Sequence, residues 1–409
     1  MSETKTLWPR VLRWAPLLLT VAVLARLAWT LLVPNATNFL DLHVYVDGAA
    51  QLRDGDLYSF RYSENTPEFP LPFTYPPFAA LVFYPLSLLS FAVLAIVWQL
   101  GIAGALYAVV RLCQRMIIGR GPAADWARVR EAMLWTAAGL WTEPVRTTLD
   151  YGQINVYLVL LIMIAVTNHR WWVSGGLAGI AAGIKLTPAI AGLYFLARRR
   201  YSAAAFSAVA FAATLGVSWL LIREETREYF ASYFGDADRI GPVASVWNQS
   251  LFGAVHRFEA EGTAATVTWL MLVALCCGLG VAAWRRLDRS DALGTLIAVQ
   301  LLGLLISPVS WSHHWVWALP LVMWLVYGPF RELRAAKYLA VFWSVVTLAG
   351  VPWLLSFAQP TIWSRVEPAG LAWVALVYVA GALAVYALMI CCGRRVHLPR
   401  ESSRDTVRV

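Results

Sequence analysis

The side chains most capable of chemistry lie in a polar segment over residues 38–77. This segment follows the first apolar span and holds more carboxylates than cations. The carboxylates are Asp41, Asp47, Asp54, Asp56, Glu64 and Glu68, and the cations are Arg53 and Arg61. A positioned carboxylate can take a proton from a reacting hydroxyl as a general base. Because Asp41 comes directly after the first span, we predict that it is the catalytic residue, with Asp47 as the alternative.

Asp41 also has a structural interpretation, as the N-cap of a helix that lies parallel to the membrane. Asp is a favoured N-cap residue. Apolar residues follow it at helical spacing, namely Leu42, Tyr45, Ala49 and Leu52. The two interpretations are compatible, since one carboxylate can cap a helix and still face a cavity. Asp54, Gly55 and Asp56 are typical of a turn.

Lys185 stands between Ile184 and Leu186, shortly before the helix-breaking Pro188. An unpaired lysine at membrane depth is costly. One interpretation is that the side chain snorkels to the membrane interface. The other is that it binds a phosphate group, and the distance of Lys185 from the basic clusters of the chain favours this second interpretation.

His313 and His314 follow Ser307 and Pro308 at the outer end of a predicted span. Adjacent residues on a helix point about 100° apart, so the two imidazoles are poorly placed to share one metal. We therefore predict no metal site. One histidine is expected to face a cavity and to help bind a phosphate, while the other faces the lipid interface. The sequence leaves open which is which.

Further polar clusters lie between apolar segments, on the same predicted side as Asp41. Four residues could bind sugar hydroxyls or could satisfy backbone groups at helix ends: Glu143, Arg146, Gln153 and Asn155. Asn248 and Gln249 form another such cluster. Polar groups at membrane depth are usually functional. Because five separated clusters agree in side, the sequence predicts one extracytoplasmic cavity.

The composition indicates a polytopic membrane protein. Of the 409 residues, 59% are hydrophobic and only 14% are charged, with 21 tryptophans and a mean hydropathy of +0.60. Soluble domains carry about a quarter charged residues. The five cysteines have no disulfide or metal-binding spacing, and no nucleotide-binding loop appears. An enzyme of this kind most simply takes an activated substrate from the lipid phase.

Apolar segments predict twelve membrane crossings, several of them shorter than the ~17 residues that a perpendicular span needs. They cover about 14–33, 91–110, 131–142, 153–167, 173–185, 187–197, 204–222, 264–284, 291–306, 314–328, 337–357 and 369–391. A further helix over 78–90, broken by Pro85, is expected to lie in or dip into the outer leaflet. Residues 1–393 thus form one transmembrane domain, and residues 394–409 form a polar, disordered tail.

The distribution of basic residues orients these spans. With a cytoplasmic N-terminus, the cytoplasmic segments hold 23 of the 33 lysines and arginines. This asymmetry follows the positive-inside rule, so the net charge of +9 reflects membrane topology and not nucleic-acid binding. The opposite side then holds the polar segments 34–76, 142–155, 223–262 and 307–314.

Several motifs, taken together, identify a family resemblance that covers nearly the whole chain. They are DLHVYV, FTYPPFAALVFYPL, DYGQIN, GIKLTPAI, SWSHHWVW and VPWLLSFAQP. In these motifs the chain resembles the polyprenol-phosphate-mannose-dependent mannosyltransferases of actinobacteria, which are GT-C fold enzymes of glycosyltransferase family 87. It is most similar to the α-1,2-mannosyltransferases of phosphatidylinositol mannoside synthesis.

The resemblance implies an all-α polytopic enzyme of the plasma membrane with an active site facing the periplasm. The donor would be polyprenyl-phosphomannose, and the acceptor would be a phosphatidylinositol mannoside that receives its fifth mannose. The family's catalytic aspartate follows the first span, which is Asp41 here. The matched motifs add four residues to the predicted sugar- and acceptor-binding set: His43, Tyr45, Tyr75 and Trp311. No cofactor is implied.

The chemistry expected from this resemblance is an inverting displacement. A sugar 2-hydroxyl attacks a β-mannosyl phosphate through an oxocarbenium-like transition state. Asp41 would serve as the general base, and Lys185 with one of His313 and His314 would stabilise the leaving phosphate.

Two alternative functions remain at this point. One is another GT-C transferase, with an arabinosyl donor or a lipomannan acceptor. The other is a lipid-linked sugar flippase, although transporters usually show repeated halves with matching broken helices, and we find no such repeat.

Overall fold

The computed structural model describes residues 10–33, 37–64, 66, 69–119, 125–236, 239–258 and 262–393. The predicted tail over 394–409 lies outside the described residues, as does Glu68. The described part of the chain is built mainly from α-helices, which confirms the predicted all-α class.

The first half of the chain contains the helices and strands that surround the polar segment after the first span. They are α1 (Ala15–Leu32), α2 (Leu40–Ala50), β1 (Arg61–Tyr62), β2 (Leu71–Pro72), α3 (Pro77–Phe83), α4 (Phe91–Ile118), α5 (Asp125–Gly139), α6 (Glu143–Tyr151), α7 (Asn155–Thr167), α8 (Trp171–Ile184), α9 (Ala191–Ala197) and α10 (Tyr201–Leu221).

The second half continues the bundle. Its helices are α11 (Arg223–Glu228), α12 (Leu251–Phe258), α13 (Thr263–Arg286), α14 (Ala292–Ile306), α15 (Ala318–Tyr327), α16 (Arg334–Ala349), α17 (Val351–Ser356), α18 (Leu371–Val374) and α19 (Val377–Cys392). Short 3₁₀ turns cover Tyr84–Leu88, Thr187–Ile190 and Ser312–Trp317, and a π-helical turn covers Tyr229–Tyr233.

Four described helices are each long and apolar enough to cross a membrane, namely α1, α4, α10 and α13. The consecutive helices α6 and α7 would pass the same test as one span, but they are bent by 118° at residues 152–154. Other apolar helices are shorter, so the count of twelve crossings stays a prediction. The helix predicted over 78–90 is α3 followed by a 3₁₀ turn that contains Pro85, where the chain cannot continue an α-helix.

A stripe of glycines brings α8 into close contact with α10. Gly175, Gly179 and Gly183 recur every four residues, so they lie on one face of α8. A Cβ atom on Gly179 would lie 2.6 Å from the carbonyl oxygen of Ser207, and one on Gly183 would lie 2.4 Å from Thr214 Oγ1. Small residues of this kind let membrane helices pack backbone to backbone. The stripe therefore fixes the end of α8, where Lys185 follows.

The polar segments between the spans pack over one end of the bundle. β1 and β2 form an antiparallel pair in which Arg61 is opposite Pro72 and Tyr62 is opposite Leu71. The segment after α10 turns back through the π-helical turn, where Tyr229 and Tyr233 contact the ring of Tyr58. These segments cover a large cavity.

Candidate active site

The cavity has a volume of about 560 Å³ and opens between the polar segments and the bundle. Seven of the residues singled out in the sequence line it: Asp41, Tyr75, Gln153, Lys185, Trp311, His313 and His314. They come from five parts of the chain, and the fold brings them to one place. A volume of this order is typical of small-molecule binding sites in proteins.

Lys185 is the most constrained charged group in the cavity. It is the residue after α8, has an extended backbone, and is only 9% exposed. Its Nζ lies 3.0 Å from Asn155 Oδ1, 3.2 Å from His314 Nε2, and 3.4 Å from both Gln153 Oε1 and Tyr75 OH. None of these four partners is a carboxylate. The ammonium is thus hydrogen-bonded to neutral groups, while the charge of Asp41 acts on it without a salt bridge among the described residues, so the ammonium remains able to bind an anion.

Two buried phenols extend this network. Tyr45 OH donates to Gln153 Oε1 over 2.9 Å and lies 2.8 Å from Tyr75 OH. Burial raises the pKa of both phenols, so both stay neutral. Tyr45 does not line the cavity. It acts on the site by holding the amide of Gln153 and the hydroxyl of Tyr75 against Lys185.

Asp41 faces the cavity from the first turn of α2, and its carboxylate hydrogen-bonds to Gln153. Burial raises the pKa of Asp41 to about 6, while the charge of Lys185 and the Gln153 hydrogen bond act in the opposite direction. A carboxyl with this pKa is ionised at neutral pH and is more basic than an ordinary aspartate. Both properties suit a general base.

The N-cap interpretation of Asp41 is wrong, because α2 begins one residue before it. Phe39 occupies the N-cap position and has a left-handed backbone with φ of 47°. Its amide donates to the carbonyl oxygen of Asp150 over 3.0 Å. This bond, and not the Asp41 side chain, fixes the start of α2.

Arg26, in the middle of α1, stabilises the contact between the end of α6 and the start of α2. Its guanidinium is buried and pairs with the carboxylate of Asp150. Gly152 follows with φ of 69°, and a Cβ atom there would lie 2.5 Å from Leu42 Cβ. The pair therefore joins α1 to the end of α6, against which the helix of Asp41 packs.

The two histidines sit on a 3₁₀ turn at Ser312–Trp317 that precedes α15. The carbonyl oxygen of His313 accepts from Asn155 Nδ2 over 2.9 Å, and its ring contacts Tyr151 edge to face. The ring of His314 reaches Lys185 instead. Both side chains line the cavity, so the structure does not turn one of them away toward the lipid, as the sequence predicted.

The remaining predicted residues do not line the cavity. Glu143 is fully buried and accepts a hydrogen bond from Tyr378 OH over 2.7 Å, and Arg146 stacks on Trp353. His43 stacks between Tyr62 and Phe91, with its Nδ1 2.9 Å from Asp47 Oδ2.

Three amides serve the framework around the histidines. The side chain of Asn155 donates to the carbonyl oxygen of His313 and accepts from Lys185 Nζ. Asn248 Nδ2 donates to the carbonyl oxygens of Val243 and Pro308, and Gln249 Nε2 donates to those of Val246 and Ala375. These side chains position the walls of the site, and the side chains of Asn248 and Gln249 do not reach into it.

The segment 223–262, which the sequence placed on the outer side, contributes to the outer wall of the cavity, but its lining residues were not singled out. Tyr229, Tyr233 and Arg239 line the cavity there, beside Tyr58. The aromatic spacing of Tyr229, Tyr233 and Phe234 was a usable signal, because such residues are uncommon in polar loops and provide flat surfaces for sugars.

Across the part of the chain that the structure describes, no group of three or more His, Cys, Asp and Glu side chains is arranged to hold a metal. The site offers a carboxylate with a raised pKa on one wall and a buried ammonium beside an imidazole on another. Such a pair can deprotonate a hydroxyl and stabilise an anionic leaving group in the same cavity.

Comparison with known sequences agrees with this chemistry. The profile of glycosyltransferase family 87 matches residues 73–308. A protein of Mycolicibacterium smegmatis, described as a polyprenol-phosphate-mannose-dependent α-(1-2)-phosphatidylinositol pentamannoside mannosyltransferase, is 54% identical over 377 residues. The match covers 92% of this chain and 90% of that protein.

A Mycobacterium tuberculosis protein with the same description is 52% identical and covers 96% of this chain and 90% of its own length. Another M. tuberculosis protein, described as the corresponding phosphatidylinositol mannoside mannosyltransferase, is 33% identical over 91% of both chains. No solved structure gives a significant match. The profile match and these relatives show that the chain belongs to glycosyltransferase family 87.

Proposed function

We propose that this enzyme transfers mannose from polyprenyl-phosphomannose to the 2-hydroxyl of a phosphatidylinositol mannoside, in the step that converts a tetramannoside to a pentamannoside. The descriptions of the relatives support the donor, the linkage and the acceptor class. The observation that carries the proposal is Lys185, a buried ammonium with four hydrogen-bond partners that are not carboxylates, in the same cavity as Asp41.

Asp41 accepts the proton of the acceptor hydroxyl as the new bond forms between that oxygen and C1 of the mannose. The bond between C1 and the phosphate oxygen breaks, and the electron pair stays on the polyprenyl phosphate. Attack opposite to the leaving group inverts a β-mannosyl phosphate to an α-linkage.

The leaving phosphate needs positive charge and not a proton. Lys185 Nζ supplies the charge, and His314, which lies against it, supplies a further polar contact. Tyr75, Gln153 and Asn155 keep the ammonium in place before substrate binds. A group that is already oriented costs no reorganisation in the transition state.

The direct test is transfer by the purified protein in detergent. With labelled polyprenyl-phosphomannose and a phosphatidylinositol tetramannoside, we expect a pentamannoside whose new linkage is α-1,2, as mass spectrometry and linkage analysis would show. Transfer from a polyprenyl-phospho-arabinose donor in place of the mannose donor would indicate the other GT-C activity. Absence of transfer from both donors would favour a flippase.

The catalytic assignment predicts that Asp41→Asn loses about 10²–10⁴ in rate, the usual contribution of a general base. Asn keeps the shape but cannot take the proton. The pKa of Asp41 is higher in the folded protein than in the unfolded chain, so ionisation of this carboxyl lowers the free energy of unfolding. The full loss of stability is present above about pH 6. Thermal unfolding of the variant should therefore occur at the same temperature or higher.

Asp47→Asn is the matched control for this variant. It lies on the same helix, pairs with His43 and does not line the cavity. We expect it to keep its activity. If Asp41→Asn were active and Asp47→Asn inactive, the general base would be Asp47 and not Asp41.

The pH dependence of kcat/KM should report the pKa of Asp41. A general base acts only when ionised, so kcat/KM should rise with pH and level off above the pKa of about 6. Asp47→Asn should show the same profile as the wild type. A profile that stays flat down to about pH 5 would mean that no group with this pKa controls the reaction.

The orientation of the cavity toward the periplasm rests on the basic residues of the cytoplasmic segments. In a cysteine-free background, Ser63→Cys should react with an impermeant thiol reagent in intact cells, and Ser402→Cys should react only after lysis. Labelling of Ser402→Cys in intact cells would contradict this orientation.

A further inference from the structure

Two arginines converge at the outer wall of the cavity. Arg61 Nη1 donates to the carbonyl oxygen of Tyr58 over 3.0 Å, and Arg239 Nη2 donates to the same oxygen. The two guanidinium groups therefore lie close together although they repel each other. Burial first, and then the charge of Arg61, lower the pKa of Arg239.

Arg239 is the member of this pair that lines the cavity. Its guanidinium lies 3.8 Å above the centre of the Tyr233 ring, and its Nε is buried without a hydrogen-bond partner. The charges of Asp236 and Glu228 act on this guanidinium, but their hydrogen bonds go elsewhere: Asp236 accepts from the backbone amide of Arg239, and Glu228 accepts from Tyr233 OH. Among the described residues, neither guanidinium of the pair forms a salt bridge.

This arginine does not contact Lys185 directly, and a path of contacts through two tyrosines connects them. Arg239 contacts the backbone carbonyl of Tyr58, Tyr58 OH donates to the carbonyl oxygen of Tyr75 over 2.9 Å, and Tyr75 OH reaches Lys185. The cavity thus has two distinct cationic groups, one beside Asp41 and Gln153 and the other at the outer wall.

From this arrangement we infer that Arg239, supported by Arg61, binds the phosphodiester of the acceptor lipid. The inference rests on the proposed function, in which both substrates are lipid-linked phosphodiesters. The donor phosphate is bonded to the reacting C1, so it must lie beside Lys185. The acceptor phosphodiester is separated from the reacting hydroxyl by several sugars, so it requires a cation far from Asp41.

Arginine is suited to this task because its planar fork can bind two oxygens of one phosphate group. Partly exposed aromatic residues in the cavity wall fit the same assignment. Trp247 and Trp311 line the cavity and present flat apolar surfaces on which the intervening mannose rings can pack.

The test compares two acceptors that share a terminal mannoside but differ in the phosphodiester. One is the phosphatidylinositol tetramannoside, and the other is a phosphate-free alkyl mannoside. Losing a charge-assisted hydrogen bond typically weakens binding by about 10- to 100-fold. We expect Arg239→Gln to raise KM by that factor for the phosphatidylinositol acceptor and to change KM little for the alkyl mannoside. Donor KM should stay unchanged.

Arg223→Gln is the matched control, because Arg223 also stacks on an aromatic ring, that of Trp219, but does not line the cavity. It should leave both acceptors unaffected. Arg61→Gln changes an exposed side chain and should raise KM selectively for the phosphatidylinositol acceptor by a smaller factor. It serves as the test variant if Arg239→Gln does not fold. Lys185→Met should slow transfer to both acceptors alike, since it acts on the donor.

Equal losses on both acceptors, a rise in donor KM, or no change with either arginine variant would overturn the inference. A wild-type protein that transfers no mannose at all would contradict the proposed function instead, so the two failures are distinguishable.

Discussion

The buried ammonium of Lys185 is the constraint on which the rest of the site depends. A charge with little exposure to water must be compensated, and here hydrogen bonds from Nζ to Asn155, Gln153, Tyr75 and His314, together with the charge of Asp41, provide part of that compensation. The remaining favourable interaction is available to a bound anion. In the proposed function a lipid-linked phosphate would provide this interaction, and the hydrogen bonds to neutral partners hold the ammonium in position in the absence of substrate.

Two features of the scaffold make this arrangement possible. The glycine stripe of α8 lets α10 pack against the backbone, which fixes the point where Lys185 leaves the helix. On the opposite wall, Arg26 in α1 pairs with Asp150, and the carbonyl of Asp150 holds Phe39 at the start of α2. An ion pair in a low-dielectric region is costly to break, so the position of Asp41 is tied to the core of the bundle and not to a mobile loop.

Much of this could be predicted from the sequence, because membrane proteins place polar residues where function requires them. The position of Asp41 directly after the first span and the isolated position of Lys185 among apolar residues were strong signals. The glycine stripe was present in the sequence at a spacing of four and could have predicted the close contact of α8 with α10.

Other features depend on tertiary structure and could not be predicted. Asn248 and Gln249 are residue types that could bind sugar hydroxyls. Only the fold shows that their side-chain amides donate to backbone carbonyl oxygens instead. The N-cap assignment of Asp41 failed because the N-cap is Phe39, two residues earlier, which has an unexpected left-handed backbone. Arg239 lies in a polar loop without periodicity, and its place in the cavity follows from the contact of the π-helical turn with Tyr58.

The most direct test of the central claim is a structure of the protein with polyprenyl phosphate bound. If Lys185 is the cation for the donor phosphate, density for the phosphate should lie within hydrogen-bonding distance of Nζ and beside His314, with Asp41 facing the space left for the mannose. A phosphate bound at Arg239, or anywhere else away from Lys185, would contradict the account.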